Sequence, residues 1–171
     1  YAGVWATDNT REALFDAMMR KEVYATTGPR MLVRFFGGWE FEEKDALHRL
    51  PADIGYTKGV PMGGELYAAP ENKSPTFLVA ALKDPLSGNL DRIQIVKGWF
   101  KDGKAYEKVY DVVWSDQENR KPDKKTGKVP AVGNTVDVEN ATWTNTIGDP
   151  EFIAVWEDPE FEPDVPAFYY A

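Results

Sequence analysis

The sequence predicts a mainly β protein, an antiparallel β-sandwich of Ig-like or jelly-roll-like type preceded by one α-helix and a short β-hairpin. Two observations predict this fold class. From residue 76 onward, strand-like segments follow one another with turn residues between them and without a long helical pattern. Only the segment 9–21 combines a helix start signal with helical spacing of its apolar residues.

The helix at residues 9–21 is predicted from its cap and from its apolar stripe. Asn9 is a residue type that caps helices, and Glu12 stands three positions later, as in a capping box. Apolar residues then recur at helical spacing and form a broad face made of Leu14, Phe15, Ala17, Met18 and Met19. A helix with such a face is expected to pack against another element.

The segment between this helix and residue 75 is predicted to hold the hairpin and then a loop-rich connection. Two short strands, at 23–26 and 31–36, are separated by Gly28-Pro29, because proline has no backbone N–H for a β-ladder. Residues 39–64 are rich in acidic residues, Gly and Pro. This composition predicts loops with one helical turn within 40–50.

The remaining strands are predicted from apolar runs bounded by turn residues. Asp102-Gly103 is the strongest hairpin signal, because both residue types tolerate the backbone angles of a tight turn. The polar segment 115–129 is predicted to be an excursion, and the acidic tail 157–171 to wrap an existing surface or to lead into further sequence. The predicted strands are 76–83, 90–100, 106–114, 135–138, 142–145 and 151–156.

Composition limits the class of protein. The 171 residues suffice for one substantial core, and 28 acidic against 20 basic residues give a net charge of -8. Such a balance argues against nucleic acid as a partner, because phosphates are bound through a basic excess. The absence of cysteine excludes disulfides and thiol chemistry but leaves the compartment open. No apolar run approaches the roughly 20 residues of a membrane span, and the start at Tyr1 suggests part of a longer protein.

Few residues are candidates for binding a metal. Zinc and non-haem iron sites use several imidazoles or thiolates, whereas this chain has His48 alone and no cysteine. We interpret His48 as a solvent-facing or capping residue. Asp137, Glu139 and Asn140 offer oxygen atoms for calcium but lack the spacing of a calcium-binding loop. We therefore predict no metal ligand and no cofactor in this chain itself.

No catalytic constellation is visible either. A Ser-His-Asp arrangement would need His48 beside one of three serines, none in the glycine context of a nucleophile elbow: Ser74, Ser87 or Ser115. The acidic runs at 40–45 and 157–162 are interpreted as solvated faces, because nothing marks one carboxylate as desolvated. We therefore predict no catalytic residue.

Two arginines and a basic cluster are the remaining charged candidates. Arg30 and Arg34 flank the strand after the Gly-Pro corner, and a guanidinium suits phosphate or carboxylate. The alternative is an ion pair with Glu12 or Asp16 of the preceding helix. The basic cluster at 120–128 is interpreted as a solvated hairpin end, because no aromatic residue interleaves it.

Several separated motifs carry a family resemblance: Trp5, NTREALFDA at 9–17, VYATTGPR at 23–30, VRFFGGW at 33–39, PMGGEL at 61–66 and LDRIQIVKG at 90–98. Together they cover most of the chain and resemble the domain of unknown function 3604 family. The helix followed by a Tyr-Ala-Thr-x-Gly-Pro strand is also similar to the end of polymerase and histidinol phosphatase (PHP) type metal-dependent phosphoesterase domains.

This resemblance implies that the chain is part of a longer protein in which another segment carries the catalytic residues. Residues 1–38 would end a PHP-like catalytic domain, 39–75 would connect, and 76–171 would form the sandwich. Metal ligands of PHP-like enzymes lie upstream of such a helix, so a divalent metal is expected only in the full-length parent. The partner of this chain would be that amino-terminal catalytic portion. The chain alone is expected to be non-catalytic, with a structural or substrate-shaping role and Arg30 as its one substrate-binding residue.

Two further expectations concern surfaces. Phe15, Met18 and Met19 are expected to be exposed, or covered by the sandwich or by a neighbouring copy in a homo-oligomer. The alternative function is a non-catalytic binding module for carbohydrate that uses aromatic side chains of the sandwich. Buried core is the default place for the six tryptophans, and Trp39 and Trp143 are the candidates for stacking on a sugar.

Overall fold

The computed structural model of the protein describes residues 1–67 and 69–171. Within them, all paired strands are antiparallel and strands far outnumber helices, so the predicted mainly β class is confirmed. The helices are α1 (Arg11–Met19) and α2 (Pro51–Lys58), with a 3₁₀ helix at Glu43–Leu47 between them. The strands are β1 (Ala2–Val4), β2 (Val23–Ala25), β3 (Leu32–Gly38), β4 (Gly59–Pro61), β5 (Thr76–Leu82), β6 (Arg92–Lys101), β7 (Lys104–Trp114), β8 (Val136–Asp137), β9 (Thr142–Trp143), β10 (Glu151–Glu157) and β11 (Ala167–Tyr170).

Two sheets pack face to face and form the sandwich. The larger sheet has the strand order β10-β5-β3-β4, and the smaller has the order β11-β6-β7. Side chains alternate between the two faces of a strand, so Phe77 and Val79 of β5 point to the same side. There they meet Phe35 of β3 and, from the smaller sheet, Ile93 and Ile95 of β6. These residues are buried and form the core between the sheets.

A second core lies on the opposite face of the larger sheet. Phe36 of β3 and Leu78 of β5 are fully buried there beneath α2. Gly55 brings α2 close to the sheet, because a Cβ at this position would lie 2.4 Å from the Phe36 ring. The predicted turn within 40–50 is confirmed by the 3₁₀ helix, but reading 51–58 as loop was wrong. Pro51 at the start of α2 was the available signal.

Helix α1 begins one residue later than the sequence suggested. Thr10, not Asn9, is the cap, and its Oγ1 accepts a hydrogen bond from the Ala13 backbone N–H at 3.2 Å. Thr10 has extended backbone angles immediately before Arg11, so its hydroxyl is the one that reaches the third helical N–H. The exposure predicted for the apolar side of α1 is confirmed, with Phe15, Met18 and Met19 all exposed.

Both strands of the predicted hairpin exist, but they pair elsewhere. Strand β2 pairs with β1, which was not predicted, and β3 pairs with β4 and β5. Gly28 has a φ of +141°, and Pro29 offers no N–H, so the corner directs the chain into another sheet. As a result, β3 and β5 share one sheet, although the predicted boundaries placed them in separate segments. The tail wraps an existing surface as expected, because β11 pairs with β6.

The buried and exposed phenylalanines predict contrasting stabilities. Phe36→Ala removes a ring with 0% exposure, and we expect it to lower the free energy of unfolding by about 3–5 kcal/mol. Phe15→Ala removes a ring with 60% exposure, and we expect a change within about 0.5 kcal/mol. Urea unfolding followed by tryptophan fluorescence measures both. Equal losses would contradict the assigned second core.

Candidate functional site

Arg30 lies at the corner between β2 and β3. Its backbone N–H donates to Asp84 Oδ2 at 2.6 Å, and its side chain is exposed. The bonds from the Arg30 and Leu86 backbone N–H groups lower the pKa of the Asp84 carboxyl. In the part of the chain that the structure describes, Arg30 forms no ion pair, so the predicted pair with Glu12 or Asp16 was wrong.

Arg34 joins the small β1–β2 sheet to α2. Its guanidinium lies over the Trp5 ring, 3.4 Å from the ring centroid, and donates to the Tyr56 hydroxyl at 3.3 Å. The Tyr56 hydroxyl in turn donates to the buried Glu22 carboxylate, which also pairs with Arg20 at 2.9 Å. Burial and the bond to Glu22 raise the pKa of Tyr56. Arg34 therefore has a structural role in place of the ion pair predicted with Glu12 or Asp16.

The most deeply buried charges lie between β6 and the tail. Lys97 Nζ donates to Asp158 Oδ2 at 2.6 Å and to the Glu160 carbonyl at 2.7 Å. The Tyr169 hydroxyl donates to the same Asp158 oxygen at 2.7 Å, and burial and this bond raise the pKa of Tyr169. Sequence reasoning missed this network. The position of Lys97 could have indicated it, because Lys97 lies two residues after the inward-facing Ile95 and therefore on the same face of β6.

A second layer of charges surrounds this network at the surface. Glu160 accepts from Lys108 Nζ at 2.6 Å and from the Tyr110 hydroxyl at 2.6 Å. These bonds lower the pKa of Glu160. Burial, followed by the bond to Glu160, raises the pKa of Tyr110. The tail is therefore held to β6 and β7 by hydrogen-bonded charges at successive depths.

An aromatic groove lies between the tail and the segment that follows β4. It has a volume of about 690 Å³, within the usual size of a small-molecule site. Trp39 and Phe161 meet edge to face at its side, with ring centroids 5.8 Å apart. Tyr67 donates to Glu65, and Lys21 adds a cation to the lining. The groove thus combines aromatic walls with a few polar groups, which suits an amphipathic ligand such as a sugar.

Within residues 1–67 and 69–171, the side chains considered for a Ser-His-Asp arrangement do not come together. His48 is exposed and ends the 3₁₀ helix, and its Nδ1 lies 3.2 Å from the Leu50 carbonyl, so the predicted surface or capping role is confirmed. Ser115 is buried and accepts from Arg120 at 2.6 Å. Among the described residues, His48 is hydrogen-bonded to no serine.

The side chains of Asp137 and Asn140, considered above as calcium ligands, form hydrogen bonds within a turn. Asp137 Oδ1 accepts from the backbone N–H groups of Glu139 and Asn140, both at 3.1 Å. The Asn140 side-chain amide donates to the other carboxylate oxygen at 2.8 Å. These bonds lower the pKa of Asp137. Across residues 1–67 and 69–171, no group of three or more His, Asp or Glu side chains is placed to share a metal ion.

Two carboxylates correct the interpretation of the acidic runs as solvated faces. Asp45 is buried, accepts from the Glu42 backbone N–H at 2.8 Å and pairs with Lys58 at 2.7 Å. Asp158 is fully buried in the network with Lys97. Each carboxylate can be buried because a lysine from another element forms an ion pair with it. The spacing of residues in the sequence does not reveal such a partner.

The basic cluster and the tryptophans need similar corrections. Arg120 is buried and pairs with Asp91, where it fixes the excursion after β7, whereas residues 121–128 are exposed as predicted. None of the tryptophans is fully buried, although Trp156 packs against the core between the sheets. Trp143 is exposed on the small β8–β9 sheet, and Trp39 is half-buried beside the aromatic groove.

These features define a mainly β, sandwich-type protein with an aromatic groove and an arginine at an exposed corner. The chain matches the family described as "Protein of unknown function (DUF3604)" over residues 1–171. It therefore belongs to the DUF3604 family. No curated protein and no solved structure matches the chain. Neither α-helix in the described ranges has the length and apolar character needed to cross a membrane.

The Lys97–Asp158 pair predicts a large and specific loss of stability. Asp158→Ala leaves the Lys97 ammonium buried without its carboxylate, and we expect a loss of about 3–5 kcal/mol in the free energy of unfolding. The double change Lys97→Met with Asp158→Leu should cost less than the sum of the single changes. The control, Lys108→Met, breaks a partly exposed pair and should cost at most about 1 kcal/mol. Urea unfolding measures the single variants, the double variant and the control, and additive losses at positions 97 and 158 would contradict the coupling.

Asp45 predicts a pH dependence of stability. Burial raises its pKa, but the Lys58 ammonium and the Glu42 N–H outweigh burial and leave the pKa below its ordinary value. A carboxyl with a lowered folded-state pKa stabilises the protein fully above the unfolded pKa, and this contribution is lost as the pH falls through the folded pKa. We therefore expect Asp45→Asn to destabilise at pH 7 and to differ less from wild type near pH 3. A difference that grows on acidification would contradict this.

Proposed function

We propose that this chain is the carboxy-terminal part of a PHP-like, metal-dependent hydrolase and that it supports and shapes the substrate site without performing the chemistry. The observation that carries the proposal is the exposed apolar side of α1, formed by Phe15, Met18 and Met19. Three large apolar side chains on one short helix are costly to leave in water. Such a face fits a helix that packs against a further part of the same protein.

The corner after β2 supports the same proposal. The Arg30 backbone is held by Asp84, whereas its guanidinium is exposed and forms no ion pair within the described residues. A guanidinium on a fixed backbone, with its N–H donors free of an ion pair, is suited to bind an anionic substrate group at a neighbouring site. Arg34, by contrast, is committed to Trp5 and Tyr56. Arg30 is therefore the arginine that we assign to substrate.

The first experiment compares this chain with the longer protein that contains it. The longer protein should bind a divalent transition metal stoichiometrically and hydrolyse bis-p-nitrophenyl phosphate, whereas this chain alone should do neither. In the longer protein, Arg30→Ala should raise KM more than it lowers kcat, and Arg49→Ala, at another exposed arginine, should change neither. Stoichiometric metal with turnover in this chain alone would refute the proposal.

A second experiment tests the apolar side of α1. Met18→Asp places a charge on an exposed position, so this chain alone should keep its free energy of unfolding within about 0.5 kcal/mol. In the longer protein the same change should lower the melting temperature, because the charge would be buried at the contact. Asp16→Asn, at an exposed position of the same helix, is the control. Equal tolerance of Met18→Asp in both proteins would contradict packing of α1 against the remainder.

A second candidate function is a non-catalytic carbohydrate-binding module. The aromatic groove beside Trp39 and Phe161 favours it, because aromatic faces stack on the apolar faces of sugars and Glu65 accepts hydrogen bonds from hydroxyl groups. Trp39→Ala should then abolish the binding of soluble oligosaccharides measured by calorimetry, and Trp143→Ala tests the other predicted platform. Binding unchanged in both variants would exclude Trp39 and Trp143 as sugar-stacking residues.

A further inference from the structure

The outer face of the smaller sheet carries a second set of aromatic side chains. Phe168 and Tyr170 of β11 stand on the face opposite to Tyr169, and Phe100 of β6 lies on the same outer face. Their exposed fractions are 62%, 43% and 61%. The rings of Phe168 and Tyr170 are nearly parallel, with 9° between their planes and 6.3 Å between their centroids. We call Phe100, Phe168 and Tyr170 the outer platform.

Gly98 fixes the position of the Phe168 ring. Gly98 is the cross-strand neighbour of Phe168, and a Cβ built on it would lie 2.3 Å from Phe168 Cζ. The ring therefore occupies the space that a side chain would fill, and it covers a backbone that would otherwise be open to water. A ring held in this way loses little freedom when a ligand stacks on it. The outer platform is thus a preformed aromatic surface.

The size of the outer platform favours a slender ligand over a protein. An aromatic side chain presents roughly 150–250 Å², so the exposed fractions of these residues give the outer platform and the adjacent Val109 an apolar area of about 400 Å². A stable protein interface needs about 800 Å² from each partner. The platform offers about half of that, and only two of its rings are parallel. This area is sufficient for one or two ring-shaped units of a chain molecule.

The polar neighbours narrow the chemistry of the ligand. Glu107 lies opposite Gly98 on β7, is exposed, and forms no ion pair in the described ranges. Further along the same face, the Gln94 amide donates to Asp111 at 2.8 Å. A carboxylate beside the rings, in a chain of net charge -8, disfavours nucleic acid and anionic lipid and favours a ligand that donates hydroxyl hydrogen bonds.

We propose that the outer platform binds a neutral linear polysaccharide, with Phe168 and Tyr170 stacking on consecutive sugar rings and Glu107 accepting a hydroxyl hydrogen bond. This inference rests on the second candidate function, carbohydrate binding, but assigns it to the outward-facing rings of β6 and β11, of which Phe168 also borders the aromatic groove. It is independent of the hydrolase proposal. The groove is a recess of about 690 Å³, whereas the platform is an exposed sheet face, which suits an extended insoluble chain.

The test is co-sedimentation of the chain with suspensions of cellulose, chitin and insoluble xylan. We expect wild type to be retained by at least one of them. Phe168→Ala should lower the apparent affinity roughly tenfold. Gly98→Ala should lower it similarly while keeping every aromatic residue, because the added methyl displaces the Phe168 ring. Phe15→Ala removes a ring of similar exposure from α1 and should leave retention unchanged. Melting temperatures show that each variant is folded.

Each other outcome overturns the proposal in a distinguishable way. Loss of retention in Trp39→Ala but not in Phe168→Ala would place the carbohydrate site in the groove and leave the second candidate function standing. No retention of wild type by any of the three suspensions would overturn the platform site. Concentration-dependent self-association that is abolished by Phe168→Ala, measured by analytical ultracentrifugation, would identify the face as a contact between copies. Binding to phosphatidylcholine vesicles abolished by the same change would identify a lipid surface.

Discussion

The fold depends on the burial of the larger sheet on both of its faces. Strand β5 runs through its centre, and its residues 76–80 are all buried. Phe77 and Val79 face the smaller sheet, whereas Leu78 faces α2. A strand covered on both faces must be apolar at consecutive positions, which explains the run TFLVAAL. The smaller sheet, α2 and the neighbouring strands all pack against the surfaces that β5 and β3 provide.

The tail depends on a different kind of interaction. It contains few large apolar residues before β11, so burial of hydrocarbon alone does not fix its path. The Lys97–Asp158 pair supplies the fixed point, and Tyr169 shares the same carboxylate oxygen. A buried pair of this kind costs desolvation and contributes chiefly to the choice of one arrangement over others. By holding β11 against β6, the pair forms one side of the aromatic groove and also orients Phe168 and Tyr170 outward.

Much of the architecture could be predicted from local patterns. The long strands β5, β6, β7 and β10 follow from apolar runs and turn residues, and the β6–β7 hairpin follows from Asp102-Gly103. The short strands β1 and β11 could not be found in this way, because each is defined by a partner distant in sequence. Helix α2 was missed because its apolar stripe is weak. Ala52 and Ile54 pack against the core that it covers, and Tyr56, which meets Phe36 edge to face, is otherwise exposed.

The charged residues were harder to predict than the apolar ones, for a physical reason. Whether a carboxylate is solvated or buried depends on a cation that the fold brings to it. Asp45 meets Lys58, Asp158 meets Lys97 and Asp91 meets Arg120, over separations of 13, 61 and 29 residues. Of these residues, only Lys97 could be recognised from the sequence as buried, because it lies on the inward face of β6. Arg30 and Arg34 looked equivalent in the sequence, and tertiary contacts alone separated the exposed arginine from the stacked one.

The apolar side of α1 and the outer platform lie on separate layers of the molecule. This separation means that both surfaces can be occupied at the same time. The β1–β2 sheet is joined to the larger sheet and α2 through Trp5, Arg34, Tyr56 and Glu22. The outer platform lies on the far face of the smaller sheet, with the main core between. Because no residue of the platform belongs to the layer that joins α1, packing of α1 against a further part of the protein leaves the platform open. Under the two proposals, the sandwich would hold a polymer on its outer platform while α1, on the other side, packs against the proposed catalytic portion.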